Sequence, residues 1–365
     1  MASRQPVRQK VYLDLTHLGR HVTGIERISI EQFEKVTFAG ADVEAIRSKG
    51  LADLLLKQQI WLPLLALMDR QAIFVFPGFP PSPLFRFFRE RVVFYVHDLF
   101  LMTRKADLSR KARLYMAWPF ARAVRHLKYF LTNSAKTRAE LQAHAPSDSA
   151  IALYRPSVQN LFGLDPARRP PGSAPPAKLK IVMLGTLEPR KNYRAAMEIL
   201  AALRRTDDPS AELHIIGREG WGGTKAEIEK TPGAILHGYL DLAAARDVIE
   251  DGDLFLCTSH DEGLGLPLLE VQFAGLPVVA PDQPIFREAL GHSGIFIDPS
   301  DAEAAARTIA ALAADRESMA DASRRSLHNV EAWNRSAGED LDRVRRLFEG
   351  PLGATLATAA ACKAA

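Results

Sequence analysis

The chain has only two cysteines in 365 residues, Cys257 in the apolar run DLFLC and Cys362 in an alanine-rich stretch. Neither has metal-ligand spacing, and two thiols make no disulfide framework, so zinc-bound and disulfide-stapled scaffolds are excluded and a reducing compartment is expected. Long uninterrupted apolar runs are missing too. The most apolar stretch, LADLLLKQQIWLPLLALM, carries Lys57, Gln58, Gln59 and Pro63. It is therefore expected to fall short of the roughly 18 uncharged residues a membrane span needs. The opening residues MASRQPVRQKVYLDL hold no apolar signal core, so secretion is not expected. Charge of one sign is scarce: a net +4 is too small and too mixed to indicate a nucleic-acid partner. No strand is followed by G-x-G-x-x-G, so the fingerprint of a NAD-dependent oxidoreductase is missing.

What is present is a globular composition, 47% hydrophobic and 25% charged. At this length two hydrophobic cores are expected rather than one. KVYLDL, RVVFYVHD and YFLTNS read as strands, the second as a buried parallel one ending at His97 and Asp98. A basic helical region follows over 109–128. DPARRPPGSAPPA, residues 165–177, packs five prolines and a glycine into thirteen residues and can form neither helix nor sheet ladder. A linker is predicted over 166–178, dividing a first domain (1–165) from a second (179–330). In the second, the strands LKIVMLG, AELHIIG, AILHG, DLFLCTS and LPVVAP alternate with helical spacing over 192–204, 224–230, 241–249, 267–274 and 302–314. Such alternation means βαβ units, a parallel sheet and right-handed crossovers. The predicted fold class is α/β: two doubly wound Rossmann-like domains facing across a cleft, with 350–365 expected to be a disordered tail.

Two stretches carry chemistry. GTLEPRKN (185–192) leaves the strand KIVML through Gly185 and sets Arg190 and Lys191 at the mouth of a helix, where cations and free N–H groups suit an anion. Its bland reading is a βα loop with two solvated charges. HDEGLGLPLLEVQFAG (260–275) follows DLFLCTS and offers Glu262 in a loop, Gly263 and Gly265 for close backbone approach, Pro267 at a helix start, Glu270 in its first turn and Gly275 as its cap. Its bland reading is a glycine-rich connection. Both stretches sit at carboxyl ends of parallel strands, where open α/β sheets bind ligands.

Taken together, these motifs resemble a retaining glycosyltransferase of the large GT-B family that includes bacterial mannosyl-, rhamnosyl- and glucosyltransferases (family GT4). Glu262 and Glu270 match its two glutamates separated by seven residues, and GTLEPRKN its diphosphate loop. His97 in YVHD, TNS at 132–134 and TGIER at 23–27 match first-domain motifs, and EAWNRSAGEDLDRVRRLF resembles the helix that crosses back to complete that domain, expected over about 333–349. The resemblance implies that Lys191 and Arg190 neutralise the donor diphosphate beside Gly185 and Thr186. It implies that Glu270 binds the ribose diol, and that Glu262 with the backbone of Gly263, Leu264 and Gly265 holds the sugar. Gly24 would let the first loop close on the phosphates, His97 would contact the reacting centre, and the backbone around Tyr239 and Leu240 would read the base. One departure stands out: many relatives carry Arg where this chain has Thr186, which leaves the second positive charge to Arg190.

Glycosyl transfer develops oxocarbenium character on the sugar and negative charge on the departing diphosphate. Fixed cations can serve that charge, and with no Asp-x-Asp metal motif read in the chain, no metal or other cofactor is expected. The implied partners are a nucleotide-diphosphate sugar, a glycan or lipid-linked acceptor of bacterial surface polysaccharide assembly, and an anionic membrane. The implied location is cytoplasmic, peripheral on the inner face of the plasma membrane. A nucleotide-sugar epimerase of similar shape would need poised acids and bases that the sequence does not reveal. A non-catalytic sugar-binding relative would have little use for Lys191, Glu262, Glu270 and His97 together.

Overall fold

Apolar runs and helical spacings resolve into two six-stranded sheets in the computed structural model, which describes residues 9–18, 24–36, 41–103, 113–168 and 178–346. The first sheet holds β1 (Gln9–Asp14), β2 (Ala41–Ile46), β3 (Ile73–Phe76), β4 (Val92–Val96), β5 (Tyr129–Thr132) and β6 (Ala150–Leu153). The second holds β7 (Lys180–Leu184), β8 (Glu212–Ile216), β9 (Ala234–Gly238), β10 (Leu254–Leu256), β11 (Val278–Pro281) and β12 (Gly294–Ile297). Every pairing between these strands is parallel. The orders are β2-β1-β3-β4-β5-β6 and β12-β11-β10-β7-β8-β9.

Double winding follows from the two-residue period of the strands. In β7, Ile181 joins a core with Leu213, Ile215 and the helix Tyr193–Thr206, while its neighbour Val182 joins a second core with Phe255, Ile249 and Phe286 on the opposite face. The first sheet buries Phe74, Phe94 and Phe130 against Leu62, Phe85 and Phe120. Direction of strand order reverses between β1 and β3 in one sheet and between β7 and β10 in the other, and loops leaving such a switch point splay apart at its carboxyl end.

The chain parts into two compact units, Met1–Pro156 with Ser336–Ala365, and Ser157–Arg335. The division thus falls ahead of the proline-rich stretch where composition places it. Residues 157–165 belong to the second unit because they pack: Phe162 and Leu164 join the core around Val182, and the Asp165 N–H donates to Glu250 at 2.9 Å. Pro166–Arg168 form one tight helical turn; the rest of the expected linker, apart from Lys178, and the tail 350–365 lie outside the described residues. The helix Arg316–Arg346 contributes to both units, and within the first unit its buried Asp340 accepts from Arg155 at 2.6 Å.

Leu51–Met68 requires a correction. Rather than being broken at its polar residues and Pro63, it forms one continuous helical run that, by length and composition, is long and apolar enough to cross a membrane. Pro63 sits where the run passes from a wider turn into its last segment.

Candidate functional site

The loops leaving β7 and β10 flank the switch point of the second sheet, and they are the two stretches singled out in the sequence. β7 gives way to Gly185, whose φ of +149° is open to glycine alone among common residues. Its carbonyl oxygen accepts the Tyr193 hydroxyl at 2.7 Å. Gly217 leaves β8 in direct contact with this turn: a Cβ there would lie 1.8 Å from the Gly185 oxygen. Pro189–Lys191 make one helical turn, and Asn192 then takes a left-handed conformation (φ 51°, ψ 47°), which its short amide tolerates better than most side chains. Helix Tyr193–Thr206 starts immediately after it.

The loop after β10 grips this turn by its carbonyls. Thr258 donates to the Lys191 and Asn192 oxygens at 3.1 and 2.9 Å, and the His260 N–H donates to the Arg190 oxygen at 2.9 Å. The grip brings both cations onto one buried carboxylate. Lys191 Nζ reaches Glu262 Oε1 at 2.6 Å, and Arg190 Nη1 reaches Glu262 Oε2 at 2.7 Å. Arg190 also donates to the Asp261 carbonyl at 2.8 Å and to Glu188 at 2.6 Å. Burial pushes the Glu262 carboxyl up, but the charges of Lys191 and Arg190 together outweigh it and hold it below the usual glutamate range. The same balance raises Arg190, whose burial is overcome by Glu262 and Glu188. Two cations and two carboxylates are therefore locked at the carboxyl end of the sheet.

Gly265, with φ +77°, admits the chain into the helix Leu266–Glu270; a Cβ on it would strike Leu268 at 2.5 Å. Glu270 is buried at the end of that helix rather than in its first turn. Gly275 caps the following turn with φ +68°, as its position in the sequence implies. Leu264 points its side chain into a core with Leu269, Val330 and Trp333, so the side chain itself is turned away from any ligand. Thr186 adds no charge; its methyl group closes on Gly220. Tyr239 is exposed and Leu240 half-buried just beyond edge strand β9, where Gly238 turns the chain with φ +70°.

In the first unit, Gly24 opens the helix Gly24–Ser29, and Thr23 lies outside the described residues. His97, buried at the end of β4, donates Nε2–H to the Pro77 carbonyl at 2.7 Å. A carbonyl can only accept, so Nδ1 carries the lone pair, and it has no hydrogen-bond partner. Burial lowers the His97 pKa to about 4, against the opposing pull of Pro77, and the ring is neutral at pH 7. Sequence reading missed a second imidazole. His17, after β1, is buried with both nitrogens unpartnered, stacked on Phe79 at 5.5 Å and pressed against Gly78, where a Cβ would lie 2.4 Å from Nε2. Burial lowers its pKa to about 4 as well. THLGRH contains no spacing that marks His17; only the switch point between β1 and β3 does.

Two Asp-x-Asp spacings do occur, correcting the sequence reading, but both are engaged elsewhere. Asp251 pairs with Lys180 at 2.6 Å and Asp253 accepts the Lys180 N–H at 2.8 Å, at the amino end of β7; Asp340 holds Arg155.

The model of the family described as Glycosyl transferases group 1 matches residues 166–328. The chain is 26% identical over 230 residues to the O-antigen chain mannosyltransferase B of Escherichia coli, a stretch covering 59% of each protein. It thus spans less than two thirds of that relative's length. Among solved structures, WaaG, a glycosyltransferase involved in lipopolysaccharide biosynthesis, is similar with a TM-score of 0.65 at 14% identity, covering 93% of this chain and 100% of that one. Alr3699/HepE of Anabaena, in complex with UDP and glucose, gives 0.62 at 15% identity, with 92% and 99% covered. At such identities the likeness speaks to fold, and the fold is GT-B.

Proposed function

We propose, for a chain that carries a group 1 glycosyl transferase domain over residues 166–328, that it is a retaining, metal-independent hexosyltransferase of the GT4 kind. It would move mannose or rhamnose from a nucleotide-diphosphate sugar, GDP-mannose or a GDP- or dTDP-deoxyhexose first, to a glycan or lipid-linked acceptor of lipopolysaccharide or exopolysaccharide assembly. The observation that carries this reading is the convergence of Arg190 and Lys191 on Glu262 at the switch point of the second sheet. Similarity to an O-antigen mannosyltransferase supports the sugar and the setting, and the UDP-bound Anabaena structure supports a nucleotide-diphosphate donor.

The chemistry follows from preorganisation. Glu262 and Glu188 fix both cations before a donor arrives, so little reorganisation is needed when charge develops on the leaving diphosphate. Arg190 takes the part of the second cation that Thr186 cannot supply. Glu262 accepts from sugar hydroxyls and the Gly263–Gly265 backbone holds the sugar beside it; Glu270 takes the ribose diol, and the backbone at Tyr239 and Leu240 the base. Attack on the same face as the departing phosphate retains the anomeric configuration, with that phosphate taking the acceptor proton. The bare Nδ1 of His97 suits a sugar hydroxyl better than an anion, because the ring is uncharged.

The reading includes a peripheral membrane location on the cytoplasmic side. Between Pro83 and Lys128 stand eleven Lys/Arg against three Asp/Glu, interleaved with Phe87 and Trp118. Such a face favours anionic lipid. The test of the transfer reading is a thermal-shift series of nucleotide sugars followed by NMR of the product. One nucleotide sugar should stabilise the protein, by about 2.7 kcal/mol at a hundred times its dissociation constant, and the product should keep the donor's anomeric configuration. Stabilisation by none, an inverted product, or an epimerised sugar without transfer would overturn it.

A further inference from the structure

The helical run Leu51–Met68 is apolar on both sides, yet only one side is covered. Leu54, Leu62 and Ala66 face the core of the first unit. Leu56, Ile60, Trp61, Leu64, Leu67 and Met68 are exposed, Met68 to 76%. A helix that is apolar all round is ordinarily buried all round. Among the described residues of the second unit, exposed large apolar side chains amount to Trp221, Tyr239 and Leu242, so uncovered apolar surface is concentrated in the first.

Neighbouring segments extend this surface and give it a charge. Arg91 donates to the Ala66 and Asp69 carbonyls at 2.8 and 2.7 Å, joining the segment Pro83–Arg91 to the end of the run. That segment exposes Phe87, with the Arg86 guanidinium 4.5 Å from its ring centre. Lys128 ties it to the next segment through Glu90 at 2.7 Å, and there Arg122 lies 5.3 Å from the ring centre of exposed Trp118. Over 51–68, 83–91 and 113–128 there are eight Lys/Arg against two Asp/Glu. Both acids are already paired, Asp53 with Lys57 and Glu90 with Lys128.

We propose that Leu51–Met68 lies in the plane of an anionic lipid bilayer, its outer face among the acyl chains and the adjoining basic, aromatic segments on the headgroups. This deepens the membrane part of the reading above and is independent of the transfer chemistry. The run is fastened too firmly to span: Gln58 donates to buried Asp14 at 2.8 Å, and Arg91 holds the Ala66 carbonyl. Leaving the unit would strip both. A second copy of the chain is the poorer occupant, because a two-fold interface would set one basic band against another.

Apolar insertion resists salt, whereas headgroup attraction is screened by it. The full chain is therefore mixed with vesicles of phosphatidylcholine alone or with phosphatidylglycerol, at low and high salt. Binding is followed by co-sedimentation and by quenching of tryptophan emission with brominated acyl chains. We expect salt-resistant binding and quenching that falls in Trp61→Phe. The triple variant Ile60→Ser, Leu64→Ser, Leu67→Ser changes only exposed side chains and should keep its circular dichroism and melting point. Its partitioning at high salt should fall roughly 10²-fold, about 2.8 kcal/mol at 1.4 kcal/mol per decade, while salt-sensitive binding through the basic segments survives. Wild-type binding that salt abolishes entirely, or a triple variant that binds like wild type, would overturn the proposal and leave the basic face standing. No lipid binding, with light scattering showing a dimer that the triple variant dissolves, would assign the surface to a second copy instead.

Discussion

Replacing Lys191 with alanine should cost stability as well as turnover, and the cost should depend on pH. Lys191 is largely covered and holds one oxygen of a carboxylate that is itself buried. Removing one partner of a buried pair costs about 3–5 kcal/mol, since the other charge is left uncompensated. Arg190 remains 2.7 Å from the second oxygen, so the lower end, about 3 kcal/mol, is expected near neutral pH. The sign with pH follows from the Glu262 carboxyl, which is held below its ordinary value in the folded protein. A depressed acid contributes stability above its unfolded pKa and loses it as pH falls through the folded one. In Lys191→Ala the largest opposing charge is gone while the burial that raises the carboxyl stays, so Glu262 takes up its proton at higher pH than in wild type. The difference between wild type and variant should therefore shrink as the pH falls below the ordinary carboxylate range. Urea unfolding at several pH values, followed by circular dichroism, measures it. Glu262→Gln in the Lys191→Ala background should recover part of the loss. A loss under roughly 0.5 kcal/mol at pH 7, the scale of an ordinary surface change, or one that does not vary with pH, would refute the reasoning.

Other perturbations test other parts. At temperatures where it stays folded, Lys191→Ala should lower kcat roughly 10²–10³-fold, the usual cost of deleting one preorganised donor to a developing anion, whereas Glu270→Ala should chiefly raise the donor KM; equal effects on both parameters would argue against the assigned roles. Activity should survive EDTA, and its loss on chelation with recovery in Mg²⁺ or Mn²⁺ would end the metal-free proposal. His17 and His97 are each pushed from 6.5 to about 4, so acid should destabilise the fold between those values by up to about 3 kcal/mol per ring, at 1.36 kcal/mol per unit. Phenylalanine at both positions should flatten that part of the stability profile. Gly217→Ala should disrupt the turn at Gly185, because its new methyl group has nowhere to go; an unchanged melting point would show that the two loops do not press together.

The strands that sequence patterning identified are mostly the interior ones. β4, β7 and β10 are buried from both faces and read as unbroken apolar runs. β2, β6 and β12, all at sheet edges, escaped it, as did the four-residue interior strand β3. β2 is exposed along most of its length, so it carries neither an apolar run nor a clean alternation. At the site, the types and order of Arg190, Lys191, Glu262 and Glu270 were legible because loop motifs are local. That both cations share one carboxylate was not, because the hydrogen bonds that aim them come from Thr258 and His260, far along the chain. His17 was illegible for the same reason: its importance lies in which strands are neighbours.

The helix shared by the two units has a consequence for synthesis. Arg155 donates to the buried carboxylate of Asp340, 185 residues downstream. At the roughly 5–20 residues per second of a ribosome, about ten to forty seconds pass between their emergence. During that interval the whole of Ser157–Arg335 leaves the tunnel with every contact of its own available. The half of the protein that is translated first is thus the half that finishes folding last.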